Sequence, residues 1–178
     1  MVLEDWPEED IATLLKNRSR QAGIEPAFDR LVPELHALAD ELDRRDALAR
    51  AATSYYRLIW DYAAGNPGVA LHTWRTSLGV AADGVVYVTP FRVPEAATFD
   101  KLPDSAVFVL RAVMQLERAD ARDVARATLV PLADVESSLR YGLQSGYLER
   151  ASERYAVAWH WYRPITRFLQ RRHLLAAD

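Results

Sequence analysis

The chain has no cysteine, which removes disulfides, thiolate nucleophiles and cysteine-based zinc sites at the outset. It has no apolar run near the ~20 residues that cross a bilayer, so no membrane insertion is expected. Its four histidines, His36, His72, His160 and His173, include no pair three or four positions apart. The two-histidine helical metal site is therefore missing too, and no cofactor is expected. Ser137, Ser138 and Ser145 have no nucleophile-elbow motif around them and no neighbouring histidine. The acidic residues fall on helix starts and solvated faces rather than in an acid/base pair. Catalysis has no foothold. A large charge of one sign is also lacking: the formal net charge is −3, which gives no global pull toward nucleic acid. The start, MVLEDWPEED, is acidic where a secretory signal is basic and then apolar. The expected setting is cytoplasmic, and Asn17-Arg18-Ser19 is then a chance match to a glycosylation sequon.

What is present is an ordinary globular composition over 178 residues, 50% hydrophobic and 26% charged. That length holds one sizeable domain or two small ones. Charge divides them: residues 1–97 carry 10 Lys+Arg against 15 Asp+Glu, and residues 98–178 carry 12 against 10. The basic excess gathers at the end, in Arg163, Arg167, Arg171 and Arg172.

The first part reads as helices. Pro7 suits a first helical turn, Glu8, Glu9 and Asp10 favour its positive end, and Ile11, Leu14, Leu15 and Arg18 follow at helical spacing up to a stop at Gly23. A second helix is predicted over Phe28–Leu42, on Leu31, Leu35, Leu38 and Leu42, with Asp40–Arg45 as a turn or solvated helix end. A third covers Ala47–Ala63. Gly65-Asn66-Pro67-Gly68 breaks the chain, and Pro67 restarts a helix with Val69, Leu71, Trp74 and Leu78. Tyr55, Tyr56, Trp60, Tyr62 and Trp74 read mostly as core at helical spacing. Residues 1–82 thus form a small helical bundle. Gly84–Phe91 turns to a β-branched, aromatic run, and residues 83–101 are expected to be an extended strand and linker.

From Leu102 the pattern restarts. Asp104 or Ser105 is expected to cap a helix carrying Val107, Leu110, Val113, Met114 and Leu116. A short helix follows from Asp120 or Ala121 with Val124, Ala125 and Leu129, then another with Leu132, Val135, Leu139 and Leu143 ending at Gly146. Residues 147–150 and 154–158 alternate as a β-hairpin, and Trp161–Leu175 closes as a helix with Pro164 in its first turn. Three helices and a hairpin is the order of a winged helix-turn-helix. The predicted class is mainly α: a bundle over residues 1–82, then a winged helix over residues 102–178.

With these elements placed, the chain resembles the C-terminal portion of bacterial AAA-type ATPases, in the branch related to origin-recognition and ExeA-like ATPases. The matching stretches are Trp6-Pro7-Glu8-Glu9-Asp10-Ile11, with Leu14, Leu15 and Arg18, and Arg57-Leu58-Ile59-Trp60-Asp61-Tyr62 running into Gly65-Asn66-Pro67. In lids of that family "W-S-E-E" opens the first helix and "G-N-P-R" the last, whose arginine reaches the nucleotide phosphates. Two departures stand out. No phosphate loop of the form G-x-x-x-x-G-K-[ST] occurs, and Gly68 stands where that arginine would be, with Arg75 a distant substitute. The chain is then either an excised segment or a freestanding relative. The resemblance implies a non-catalytic region that couples an ATPase core to a protein partner, with lid motion about Gly65–Gly68 repositioning the winged helix.

Two other readings compete. In a DNA-reading winged helix, the helix before the wing enters the major groove. Its face here would offer Ser137, Arg140, Tyr141 and Gln144, with Arg150 and Arg154 on the wing and Arg118, Arg122 and Arg126 near the preceding helix. Asp134 and Glu136 at the leading end would repel phosphates. The third reading is a self-associating adaptor. The stripe Arg163, Arg167, Arg171 reads first as a solvated face and next as a surface for an acidic partner or phosphate backbone. Trp159-His160-Trp161-Tyr162 reads as aromatics sealing the sheet against the final helix rather than as a base-stacking platform.

Overall fold

The computed structural model describes residues 5–175. It is mainly helical with two small two-stranded antiparallel sheets. The chain divides into two compact units, Met1–Arg92 and Val93–Asp178. Among the described residues, no helix is long and apolar enough to cross a membrane.

In the first unit, helix α1 (Glu8–Gln21) starts behind Pro7, with Glu8, Glu9 and Asp10 in its first turn and Arg18 and Arg20 in its last. The four-residue spacing of Ile11, Leu15 and Ser19 puts all three on its buried face. Helix α2 (Glu41–Ala63) is longer than its apolar face suggests, because Asp40 caps it by accepting a 2.8 Å hydrogen bond from the Leu42 amide. The charged stretch after Asp40 is therefore the helix start, not a turn.

The helix expected over Phe28–Leu42 is absent. That segment carries two 3-10 turns, Asp29–Leu31 and Leu35–Ala37. Pro33 sits between them with no amide to donate. Leu31, Leu35 and Leu38 are only half-buried, and Leu42 is 65% exposed on α2. The leucine spacing imitated a helical stripe without a continuous core to meet.

Helix α3 (Pro67–Ser77) opens on Asn66, whose side chain accepts the Val69 amide at 3.0 Å. It runs directly into strand β1 (Leu78–Val80), which pairs with β2 (Val86–Val88) in the register Leu78↔Val88. Ala27 bonds to the other edge of β2 through Val86 and Val88. Of the stretch 83–101, residues 86–88 are thus a strand of the first unit, and Ala96–Lys101 forms a 3-10 helix of the second.

The core of the first unit joins Ile11, Leu15, Ile59, Val69 and Trp74. Its buried polar atoms are satisfied locally. The Trp74 indole donates to Ser19 Oγ at 2.9 Å, and Ser19 donates to the Leu15 carbonyl at 3.1 Å. Tyr55 Oη lies 2.7 Å from the Thr89 carbonyl oxygen and 2.8 Å from Ser77 Oγ. Tyr55 and Tyr56 are core residues, as the helical spacing predicts.

The second unit is built from α4 (Asp104–Leu116), α5 (Ala121–Thr128), α6 (Leu132–Gln144), β3 (Leu148–Ala151), β4 (Arg154–Val157) and α7 (Trp159–Arg171). Its core centres on Phe99, Val107, Leu110, Leu139, Ile165 and Phe168. Pro103, not Asp104 or Ser105, precedes α4, and no side chain caps it. Helix α7 starts two residues earlier than expected, which places Pro164 inside it rather than in the first turn. Trp161 packs edge-on to Phe99 at 5.3 Å, whereas Trp159 is exposed against Tyr162.

Candidate functional site

The face singled out by sequence lies where α5, α6 and the β3–β4 hairpin meet. Asp120 and Asp123 form a reciprocal capping box at the start of α5, each carboxylate accepting the other's backbone amide. Asp123 also pairs with Arg126, and that hydrogen bond is the main reason its carboxyl is held below the ordinary value. Helix α5 is only two turns long, so the chain leaves it at Leu129 in a left-handed conformation (φ 58°) and re-enters α6 after Pro131. Leu129 had been expected on the apolar side of α5. It lies beyond the helix end and is 90% exposed, and Leu132, three positions on, is 41% exposed.

Helix α6 lies close against the hairpin because Gly142 has no side chain: a Cβ there would sit 2.6 Å from Leu148 and 2.8 Å from Tyr147. Burial pushes the Tyr147 hydroxyl up to about 12, with the neighbouring Tyr141 adding to the shift. The hairpin turns through two residues, Ser152 and Glu153. Arg150 folds back over it, donating to the Ser152 carbonyl at 2.9 Å and to Glu153 at 2.6 Å. Ala119 and Tyr155 exchange backbone hydrogen bonds, which ties the hairpin to the chain between α4 and α5.

Between these elements lies an open groove of about 630 Å³. Leu132, Leu143 and Tyr155 contribute apolar surface; Arg122, Arg140 and Glu136 are among its charged residues. Of the sequence-selected residues, Arg140 and Arg150 line this groove. Ser137, Tyr141 and Gln144 are exposed on α6 but not among the lining residues. Arg154 is exposed on β4 and contributes to lowering the Asp123 carboxyl. The sequence reading missed Leu129 and Leu132 as surface features. The signal was the closeness of Pro131 to the end of α5, which leaves no room for another helical turn.

On α7, Arg163 is half-buried while Arg167 and Arg171 are exposed. Arg172 approaches Asp104 at 3.6 Å and lies over the Phe168 ring. Among the described residues no group of three or more His, Asp or Glu side chains is placed to hold a metal.

The second sequence-selected place is the turn Gly65–Gly68. The Trp6 amide donates to the Gly65 carbonyl at 3.0 Å, and the Trp60 indole donates to the Trp6 carbonyl at 2.9 Å. Gly65 is left-handed (φ 69°), and a Cβ on it would sit 2.9 Å from the Trp6 backbone. Asn66 and Pro67 act as cap and first residue of α3, Gly68 lies in its first turn, and Arg75 is exposed in its last. No family model, no curated protein and no solved structure matches the chain.

Proposed function

We propose that this chain is a non-catalytic docking region that couples an AAA-type ATPase core to a protein partner through a winged helix in its second unit. The observation that carries the docking part is Leu129. A leucine held 90% exposed at the α5–α6 turn, three positions before a half-exposed Leu132, offers an apolar anchor suited to a protein surface. A phosphate backbone gains nothing from it. The order of three helices and a hairpin, with Ala119 paired to Tyr155, supports the winged-helix reading. The ATPase part rests on the lid resemblance. Its two short motifs meet in space, the Trp6 amide on the Gly65 carbonyl.

Photocrosslinking tests the proposal, with a benzophenone amino acid at position 129 of the full chain in its native host and mass spectrometry of the adduct. The expected adduct joins this chain to a protein whose polypeptide contains a phosphate-loop core, or to a partner that copurifies with one. Adducts confined to nucleic acid would overturn docking. Adducts with proteins unconnected to any phosphate-loop ATPase would overturn the coupling.

A further inference from the structure

The groove lined by Leu132, Leu143 and Tyr155 has a charge pattern that its composition conceals. Three arginines and three carboxylates line it, a formal balance of zero. Two of those carboxylates are already engaged: Asp120 in the capping box of α5, and Glu153 with Arg150. Arg122 from α5 and Arg140 from α6 are exposed, and among the described residues neither has a hydrogen-bond or ion-pair partner. Glu136 is then the one lining carboxylate left to oppose two uncommitted guanidiniums.

We infer that this groove receives an acidic peptide segment of the partner protein, with carboxylates on Arg122 and Arg140 and an apolar side chain on Leu132, Leu143 and Tyr155. Guanidinium forks match carboxylates bidentately, which gives the pair of arginines geometric selectivity as well as charge. An open groove of about 630 Å³ has room for a few side chains of an extended segment. A duplex is read by an element that protrudes into a major groove about 12 Å wide, an α-helix or a two-stranded ribbon. Here Arg140 borders a concavity. The inference rests on the docking reading above and names the chemistry of the partner at that face.

The test uses a short fluorescein-labelled peptide of glutamates flanking paired leucines, a matched peptide with lysines in place of the glutamates, and a labelled duplex, each titrated into the full chain. Saturable binding of the glutamate peptide alone is expected. Combined Arg122→Gln and Arg140→Gln should weaken it about tenfold or more, whereas Arg167→Gln on α7 should leave it unchanged. Circular dichroism and thermal melting would confirm that each variant folds. No saturable binding of the glutamate peptide, equal binding of the lysine peptide, or indifference to the double substitution would each overturn the inference. If the peptide fails while crosslinking at position 129 still yields the expected protein adduct, the groove assignment falls and docking stands. If the adduct is nucleic acid, the docking reading itself falls.

Discussion

The Ala119 amide donates to the Tyr155 carbonyl at 3.1 Å, and the Tyr155 amide returns a bond to the Ala119 carbonyl at 2.8 Å. This exchange closes the second unit: it fixes the hairpin against the start of α5 and so shapes the groove between them. Ala119→Pro removes one donor and strands a carbonyl, at a cost of about 2 kcal/mol or more. Urea denaturation of the full chain should show that loss and amide exchange at Tyr155 should quicken. Ala119→Gly, which keeps the donor, should lose less. Equal losses for the two variants would mean that the bridge contributes nothing beyond the packing of the buried alanine.

Gly65→Ala should destabilise the first unit by about 1–3 kcal/mol. The substitution strains a left-handed position and drives a Cβ to 2.6 Å from that of Asp5. Thermal melting provides the check, together with the Trp60 indole resonance, which should shift as its bond to Trp6 is broken. An unchanged melting temperature would show that residues 5 and 6 are not held against this turn.

Ser19→Ala leaves the buried Trp74 indole N–H without its 2.9 Å acceptor. An unsatisfied buried donor costs about 1–3 kcal/mol, and that loss is expected in chemical denaturation. A loss below ~0.5 kcal/mol would mean that water replaces the hydroxyl.

Partial burial lowers the His160 imidazole below its ordinary value of 6.5, and Glu149 opposes the shift. The folded chain therefore takes up this proton at lower pH than the unfolded chain does. Stability contributed by neutral His160 is complete above pH 6.5 and declines as pH falls through 6.5 toward the folded value. Melting temperatures measured across that interval should fall less steeply for His160→Gln. An identical slope in the variant would contradict the assignment.

Much of the architecture is legible from residue order. The Asp120 opening of α5, the acidic start of α1 and the Asn66-Pro67 opening of α3 are local signals, and each acts within a few residues of itself, whereas the cap expected for α4 is absent and Asp40 caps a helix that the charged stretch after it had obscured. The β3–β4 hairpin follows from alternation on either side of Ala151-Ser152-Glu153, although Ala151 pairs with Arg154 and only Ser152 and Glu153 make the turn. Leucines 31, 35 and 38 mislead because periodicity cannot report a missing partner surface, and Pro33 interrupts the amides that a helix needs. The pairing of β1 with β2 and Ala27 is non-local, so nothing in residues 83–91 alone reveals it. At the candidate face, the helix-before-the-wing reading finds Arg140 and Arg150, but which carboxylates are already engaged depends on the capping box and the hairpin turn. The exposure of Leu129 follows from α5 ending at Thr128, one residue short of it, and the closeness of Pro131 is the local signal for that stop.

If the α5–α6 face docks protein and not duplex, a labelled random-sequence duplex titrated into the full chain shows no saturable binding at low or at physiological salt. Saturable binding at low salt that weakens steeply as salt rises, and weakens further in Arg140→Ala, would contradict it.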